Sequence, residues 1–109
     1  AGPRGIDLLL STHDLDGLIA PSTGPAWPID YAKGDAYGVS SSVQAAVAGY
    51  PAVTVPMGRR DGLPLGVSLW GAALSEAKLV AIAKGIERLT GGFKPPPHLP
   101  LGNTPLNRE

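Results

Sequence analysis

Apolar positions along the chain switch period several times, and each switch marks an element. Ile6, Leu9, Leu10 and His13 fall at i, i+3, i+4 and i+7, which predicts a short amphipathic helix over residues 5–13. Asp14-Leu15-Asp16-Gly17 breaks it, and Leu18-Ile19-Ala20 then reads as a short buried strand stopped by Pro21. Residues 21–38 carry Pro21, Gly24, Pro25, Pro28, Gly34 and Gly38 and read as a long loop. Trp27, Ile29, Tyr31 and Tyr37 within it are large enough that burial is expected.

Val43, Ala45, Ala46, Val47 and Ala48 make residues 40–49 apolar on nearly all sides, the pattern of a helix packed on every face. Ser40, Ser41 or Ser42 offers an N-cap and Gly49 a stop. Ala52-Val53-Thr54-Val55 is a β-branched strand ended by Pro56 and Gly58. Asp61-Gly62 signals a turn and Gly66-Val67-Ser68-Leu69-Trp70 a second strand, so the two predict a hairpin with a long loop. Over 75–90, Leu79, Ile82, Ala83, Ile86 and Leu89 form one apolar stripe behind Ser75 and Glu76, and Gly91-Gly92 ends it. Gly85 inside this helix costs about 1 kcal/mol against Ala, which predicts close packing there. From Phe93 the chain is a proline-rich strap. The expected fold class is α/β, with about three short strands and two or three helices. That leaves too much apolar surface for its cover, as at the edge of something larger.

Composition narrows the function classes. Nine Lys+Arg balance nine Asp+Glu in 109 residues, and the one basic pair, Arg59-Arg60, is followed by Asp61, so nucleic-acid binding is not expected. Cysteine is absent, which excludes thiol catalysis, disulfides and Cys-based zinc sites and suits the cytoplasm. No apolar run approaches a membrane span, and a chain opening Ala1-Gly2 rather than with Met reads as a cut or trimmed product.

Candidate chemistry is thin. Gly38-Val39-Ser40-Ser41-Ser42 begins like a nucleophile elbow but lacks the final Gly and a preceding strand, so a helix cap is the plainer reading. A complete small hydrolase built on Ser40 would need His13 or His98 as base, and nothing places either near it. Neither histidine has a second metal ligand at usable spacing, and no metal or cofactor is expected. Asp14 and Asp16 read as turn-capping residues rather than paired catalytic carboxylates. Pro97-His98-Leu99-Pro100 matches the polyproline-ligand pattern, which keeps open a stand-alone binding module using that tail or the Trp27–Tyr37 loop.

Four blocks then share one resemblance. The run Ala48-Gly49-Tyr50-Pro51-Ala52-Val53-Thr54-Val55-Pro56-Met57-Gly58 is similar to the A-G-x-P-A-[IV]-[ST]-V-P-x-G segment of the amidase signature family. Gly62-Leu63-Pro64-Leu65-Gly66-Val67-Ser68-Leu69-Trp70-Gly71 resembles its G-L-P-[IVL]-G-[LV]-x-x-x-G segment. Ser75-Glu76 with Leu79, Ala83 and Glu87 resembles the helix that follows, and Asp16 to Thr23 the family's D-x-L-[IL]-x-P-[ST]-[ST] strand and loop. The blocks stand in family order over residues 14–90, before a proline-rich tail at 93–109.

The resemblance implies that residues 1–109 are the C-terminal part of a mixed-sheet amidase. Such an enzyme hydrolyses amides with a Ser–cis-Ser–Lys triad lying upstream, and no segment here matches that triad, so no catalytic residue is assigned. Trp27, Tyr37, Ser40, Ser41 and Ser42 are the candidate pocket wall for a small-molecule amide. The expected partners are the rest of the amidase chain and further copies through open strand edges. Many members carry Asn where this chain has Ala46, which favours a broad-specificity amidase over the glutaminyl-type transamidosome subunits.

Overall fold

The computed structural model describes residues 2–95. His98, the 97–100 motif and most of the strap lie outside the described residues. A π-turned segment, Gly2–Ile6, runs into helix α1 (Asp7–His13). Strand β1 (Leu18–Pro21), helix α2 (Ser42–Ala48), strands β2 (Ala52–Arg60) and β3 (Leu63–Trp70) and helix α3 (Glu76–Thr90) follow. The sheet order is β1-β3-β2 and both pairings are antiparallel, so β3 is the central strand of an α/β segment.

Alternation along the strands divides the core into two layers. Val55 and Val67, paired across the ladder, point with Val53 at Ala83 and Ile86 of α3. On the opposite face Trp70, Leu18 and Ala20 pack with Ile6, Leu10 and Ala45, so α1 and α2 cover that side. Leu79, only 1% exposed, fixes the first turns of α3. Its apolar face forms as the stripe predicts, but Leu89 at the far end stands 89% exposed.

Helix ends follow the glycine signals. Gly49 (φ 68°) and Gly91 (φ 82°) are left-handed caps of α2 and α3, a conformation that costs glycine little. The serine caps do not form as expected. Ser41 and Ser75 occupy the N-cap positions without a side-chain cap bond, and Ser75 Oγ donates instead to the Ala72 carbonyl at 2.7 Å.

The hairpin corrects the expected long loop. β2 continues through Pro56 and Gly58 to Arg60, and the connection is the two residues Asp61 (φ 51°) and Gly62 (φ 80°). Positive φ at both centres matches the twist of the flanking strands. Pro56 is tolerated because the register breaks between it and Gly58, leaving a bulge at Met57, with Gly58 at φ 136°. Gly66 has no positive φ; it is small because a Cβ there would lie 3.0 Å from Thr54 Cγ2 and 3.1 Å from Ser22 Oγ.

Burial is where expectation and structure part most. β1 alternates between half-buried and exposed positions, Ile19 facing out, because an outer strand has cover on one face only, and Pro21 is its last residue. α2 buries only Ala45 and turns Val43 and Val47 outward. Ile29, Tyr31 and Tyr37 are exposed, Tyr31 to 97%, since among the described residues no element reaches over the loop. Gly85 meets open space within 4 Å, so its packing explanation fails.

Candidate functional site

The loop between β1 and α2 closes on itself. Thr23 and Ser40 form an isolated antiparallel bridge, and the Gly24 N–H donates to the Val39 carbonyl at 3.2 Å. The loop therefore leaves and returns at one point, immediately before α2. Trp27 and Tyr37 meet edge to face, with centroids 6.0 Å apart and planes at 84°. The Trp27 indole donates to Asp35 Oδ1 at 3.3 Å. Asp30 Oδ1 accepts the N–H groups of Ala32 (2.9 Å) and Lys33 (3.0 Å), an Asx-type turn that shapes the tip.

The three serines differ. Ser40 Oγ lies 2.9 Å from Ser42 Oγ, Ser40 half-buried and Ser42 exposed. Ser41 is buried, its N–H and Oγ donating to the Ser22 carbonyl at 3.1 and 3.3 Å. So Trp27 and Tyr37 meet within the loop while Ser40–Ser42 stand where it closes, and the aromatic pair and the serines make no hydrogen bond to one another among the described residues. His13 is exposed at the end of α1 and bonds to none of these serines. A nucleophile without a base within hydrogen-bond reach is unactivated. Nor do any three His, Asp or Glu side chains group to hold a metal among the described residues.

A second set of hydroxyls went unread in the sequence. Ser68 Oγ on β3 lies 2.7 Å from Ser22 Oγ, just past the end of β1, and 2.8 Å from Thr54 Oγ1 on β2, a row of three hydroxyls across the sheet. The signal was present: Thr54 and Ser68 are the hydroxyl positions of two strands joined by a readable turn. Only the bulge, however, brings them opposite each other.

The two acidic residues near β1 serve structure. Asp14 caps α1 in the left-handed conformation, while Asp16 accepts from Lys78 Nζ at 2.8 Å. The Lys78 hydrogen bond and charge hold the Asp16 carboxyl below the usual range, and Asp16 raises Lys78 in return. Tyr50 donates to Asp7 Oδ2 at 2.5 Å, and that bond pushes its phenol up.

A concavity of about 940 Å³ lies between the hairpin and the start of the strap, lined by Val55, Arg59, Leu63, Leu65, Thr90 and Phe93 among others. Arg59 spans it, donating to the carbonyls of Gly62, Lys94 and Pro95, each at 3.3 Å. It includes none of the candidate wall residues.

This arrangement defines a class: an α/β segment with a shaped loop and buried hydroxyls, in which no base lies within hydrogen-bond reach of the Ser40–Ser42 hydroxyls among the described residues. The comparisons refine it. No family model matches the chain. The chain is 34% identical over 89 residues to a glutamyl-tRNA(Gln) amidotransferase subunit from Pseudomonas entomophila, covering 77% of this chain and 18% of that protein. It is 30% identical over 94 residues to fatty acid amide hydrolase of Arabidopsis thaliana, covering 76% of this chain and 16% of that protein.

Among solved structures, peptide amidase in complex with the competitive inhibitor chymostatin superposes with TM-score 0.82 at 51% identity, over 88% of this chain and 20% of that one. Native peptide amidase from Stenotrophomonas maltophilia gives TM-score 0.77 at 49% identity, over 88% and 19%. These are amidase signature proteins, and the chain is related to that family over most of its length. It spans about a fifth of the length of the proteins it matches.

Proposed function

We propose that this chain is the C-terminal segment of an amidase signature hydrolase. The complete enzyme cleaves amide bonds by acyl transfer to a serine supplied by the rest of the protein. The segment contributes three strands of the core, and Trp27, Tyr37, Ser40, Ser41 and Ser42 form one wall of the amide pocket. One observation carries this reading: the likeness to peptide amidase, at about half identity, runs through 88% of the chain yet uses a fifth of that enzyme.

Identity to peptide amidase exceeds that to the amidotransferase protein, 51% against 34%, which makes peptide amides the first substrates to try. Two observations support the wall: the Thr23–Ser40 bridge closes the loop immediately before α2, and the Trp27–Tyr37 pair lies within that closed loop. A chain without cysteine fits a reducing compartment, and we place the enzyme in the cytoplasm.

The isolated 109-residue chain hydrolyses nothing in this reading, because nucleophile, base and oxyanion hole must occur together. The test compares the complete protein and residues 1–109 on peptide amides and activated esters. Turnover by the complete protein and none by the segment is expected. Turnover by the segment that disappears in Ser40→Ala/Ser41→Ala/Ser42→Ala would place the nucleophile in this chain instead.

A further inference from the structure

We propose that Ser68, buried on the central strand, is a positioning residue for the Ser40–Ser42 wall and acts on it through Ser22. Among the described residues only two polar side chains are buried, Ser41 (9% exposed) and Ser68 (8%), and Ser22 joins them. Ser22 Oγ meets Ser68 Oγ at 2.7 Å, while the Ser22 carbonyl accepts both the N–H and the Oγ of Ser41. The Ser22 N–H donates to the Gly66 carbonyl at 2.9 Å. Ser22 is thus held by β3 at two points and itself holds Ser41, the residue at the N-cap position of α2.

Ser68 suits this task because β3 is paired on both sides, the least yielding place in the sheet. Gly66 contributes by what it lacks, since any Cβ would displace Ser22 Oγ from 3.1 Å away. A shift of Ser22 moves Ser41 directly, and it moves the loop mouth through its neighbour Thr23, bridged to Ser40. Thr54 bonds the other side of Ser68 at 2.8 Å and does not touch the wall. The row therefore contains its own control: the Ser22 side transmits position, and the Thr54 side only ties β2 to β3.

The proposal rests on the reading that Ser40–Ser42 face substrate, and the test separates the two. In the complete enzyme, kcat and KM are measured for two peptide amides, one small and one bulky beside the scissile bond, with urea unfolding alongside. Ser41→Ala and Ser68→Ala are each expected to change the ratio of kcat/KM between the substrates about tenfold, the worth of one hydrogen bond. That change should fall mainly in KM. The double variant should do no more than the larger single, since both act on one contact.

Thr54→Val should lower stability and leave the ratio unchanged. A ratio moved by Ser41→Ala and not by Ser68→Ala overturns the inference and leaves the wall standing. A ratio moved by neither removes the wall, and the inference with it. A ratio moved as much by Thr54→Val means general loosening, and also overturns it. Should Ser68→Ala fail to fold, Ser22→Ala cuts the same link from its other end and is read by the same outcomes.

Discussion

Gly71→Ala tests how the sheet meets α3. Gly71 follows β3, and a Cβ built on it would lie 2.6 Å from Ser75 Oγ and 3.3 Å from Leu79 Cδ2. The first contact is with the end of a side chain that can rotate, but rotation breaks the 2.7 Å bond from Ser75 Oγ to the Ala72 carbonyl. That loss costs about 1 kcal/mol. The second contact cannot relax so easily, because Leu79 is 1% exposed and the same Cδ2 would lie 3.3 Å from a Cβ on Gly17. Overpacking of this kind costs about 2 kcal/mol. Against these stands a gain of about 0.5 kcal/mol from the stiffer unfolded chain. The expected net loss is about 2.5 kcal/mol, read in the complete protein as a lower urea midpoint at unchanged slope. Ser75→Ala alone should lose about 1 kcal/mol, and the double variant less than the sum, since the bond is then broken once and not twice. A Gly71→Ala midpoint equal to wild type, or a fully additive double, would refute the reasoning.

Gly85→Ala meets open space and should stabilise by about 0.5–1 kcal/mol, whereas Gly62→Ala, forced to φ 80° in the hairpin turn, should destabilise by about 1 kcal/mol; urea unfolding reads both. The Asp16–Lys78 pair should shape both limbs of a stability–pH profile. Asp16, held below its ordinary 3.8, contributes above that value and loses the contribution as pH falls through its lower folded pKa. Lys78, raised above 10.5, contributes in full below that value and loses it as pH rises through its higher folded pKa. Asp16→Asn should flatten both limbs in thermal unfolding while moving the neutral plateau little, because the pair is exposed. Tyr50, raised above 10.0 by Asp7, should lose its contribution in the same alkaline range, and Asp7→Asn should bring its ultraviolet titration back toward 10.0. The isolated segment should associate at micromolar concentration and bind an apolar dye, given two outer strands and exposed Val43, Val47 and Ile19. A clean monomer in light scattering with no dye binding would count against it.

What could be read from the sequence was set by local chemistry. Gly49, Gly62 and Gly91 adopt the left-handed conformation that their positions at helix ends and in the turn imply. The four family blocks led to the right relatives. Burial was not legible, and the reason is physical. An apolar stripe reports that a face needs cover, not that the cover lies in the same chain. The outward valines of α2 and the bare aromatics of the 24–39 loop would count as errors in a complete domain. In a segment spanning a fifth of its relatives they are the surface the remainder would cover under the proposed function.

The hydroxyl row was hidden for a narrower reason. An uninterrupted two-residue hairpin at Asp61-Gly62 pairs Arg60 with Leu63, and counting outward from that pair sets Thr54 opposite Leu69. The bulge at Met57 absorbs one residue, so Pro56 faces Gly66 and Thr54 faces Ser68. A slip of one residue sends each side chain to the other face, so without the bulge Thr54 would leave the serines and Val55 would leave the α3 core. Pro56, which reads as the end of a strand, instead marks the irregularity that aligns it: it lacks the N–H that an unbroken ladder would require. The P-x-G that closes the first family block thus does structural work two turns of the pleat away. It sets the register that joins Thr54 to Ser68, in the same row where Ser68 meets Ser22 and the base of the loop.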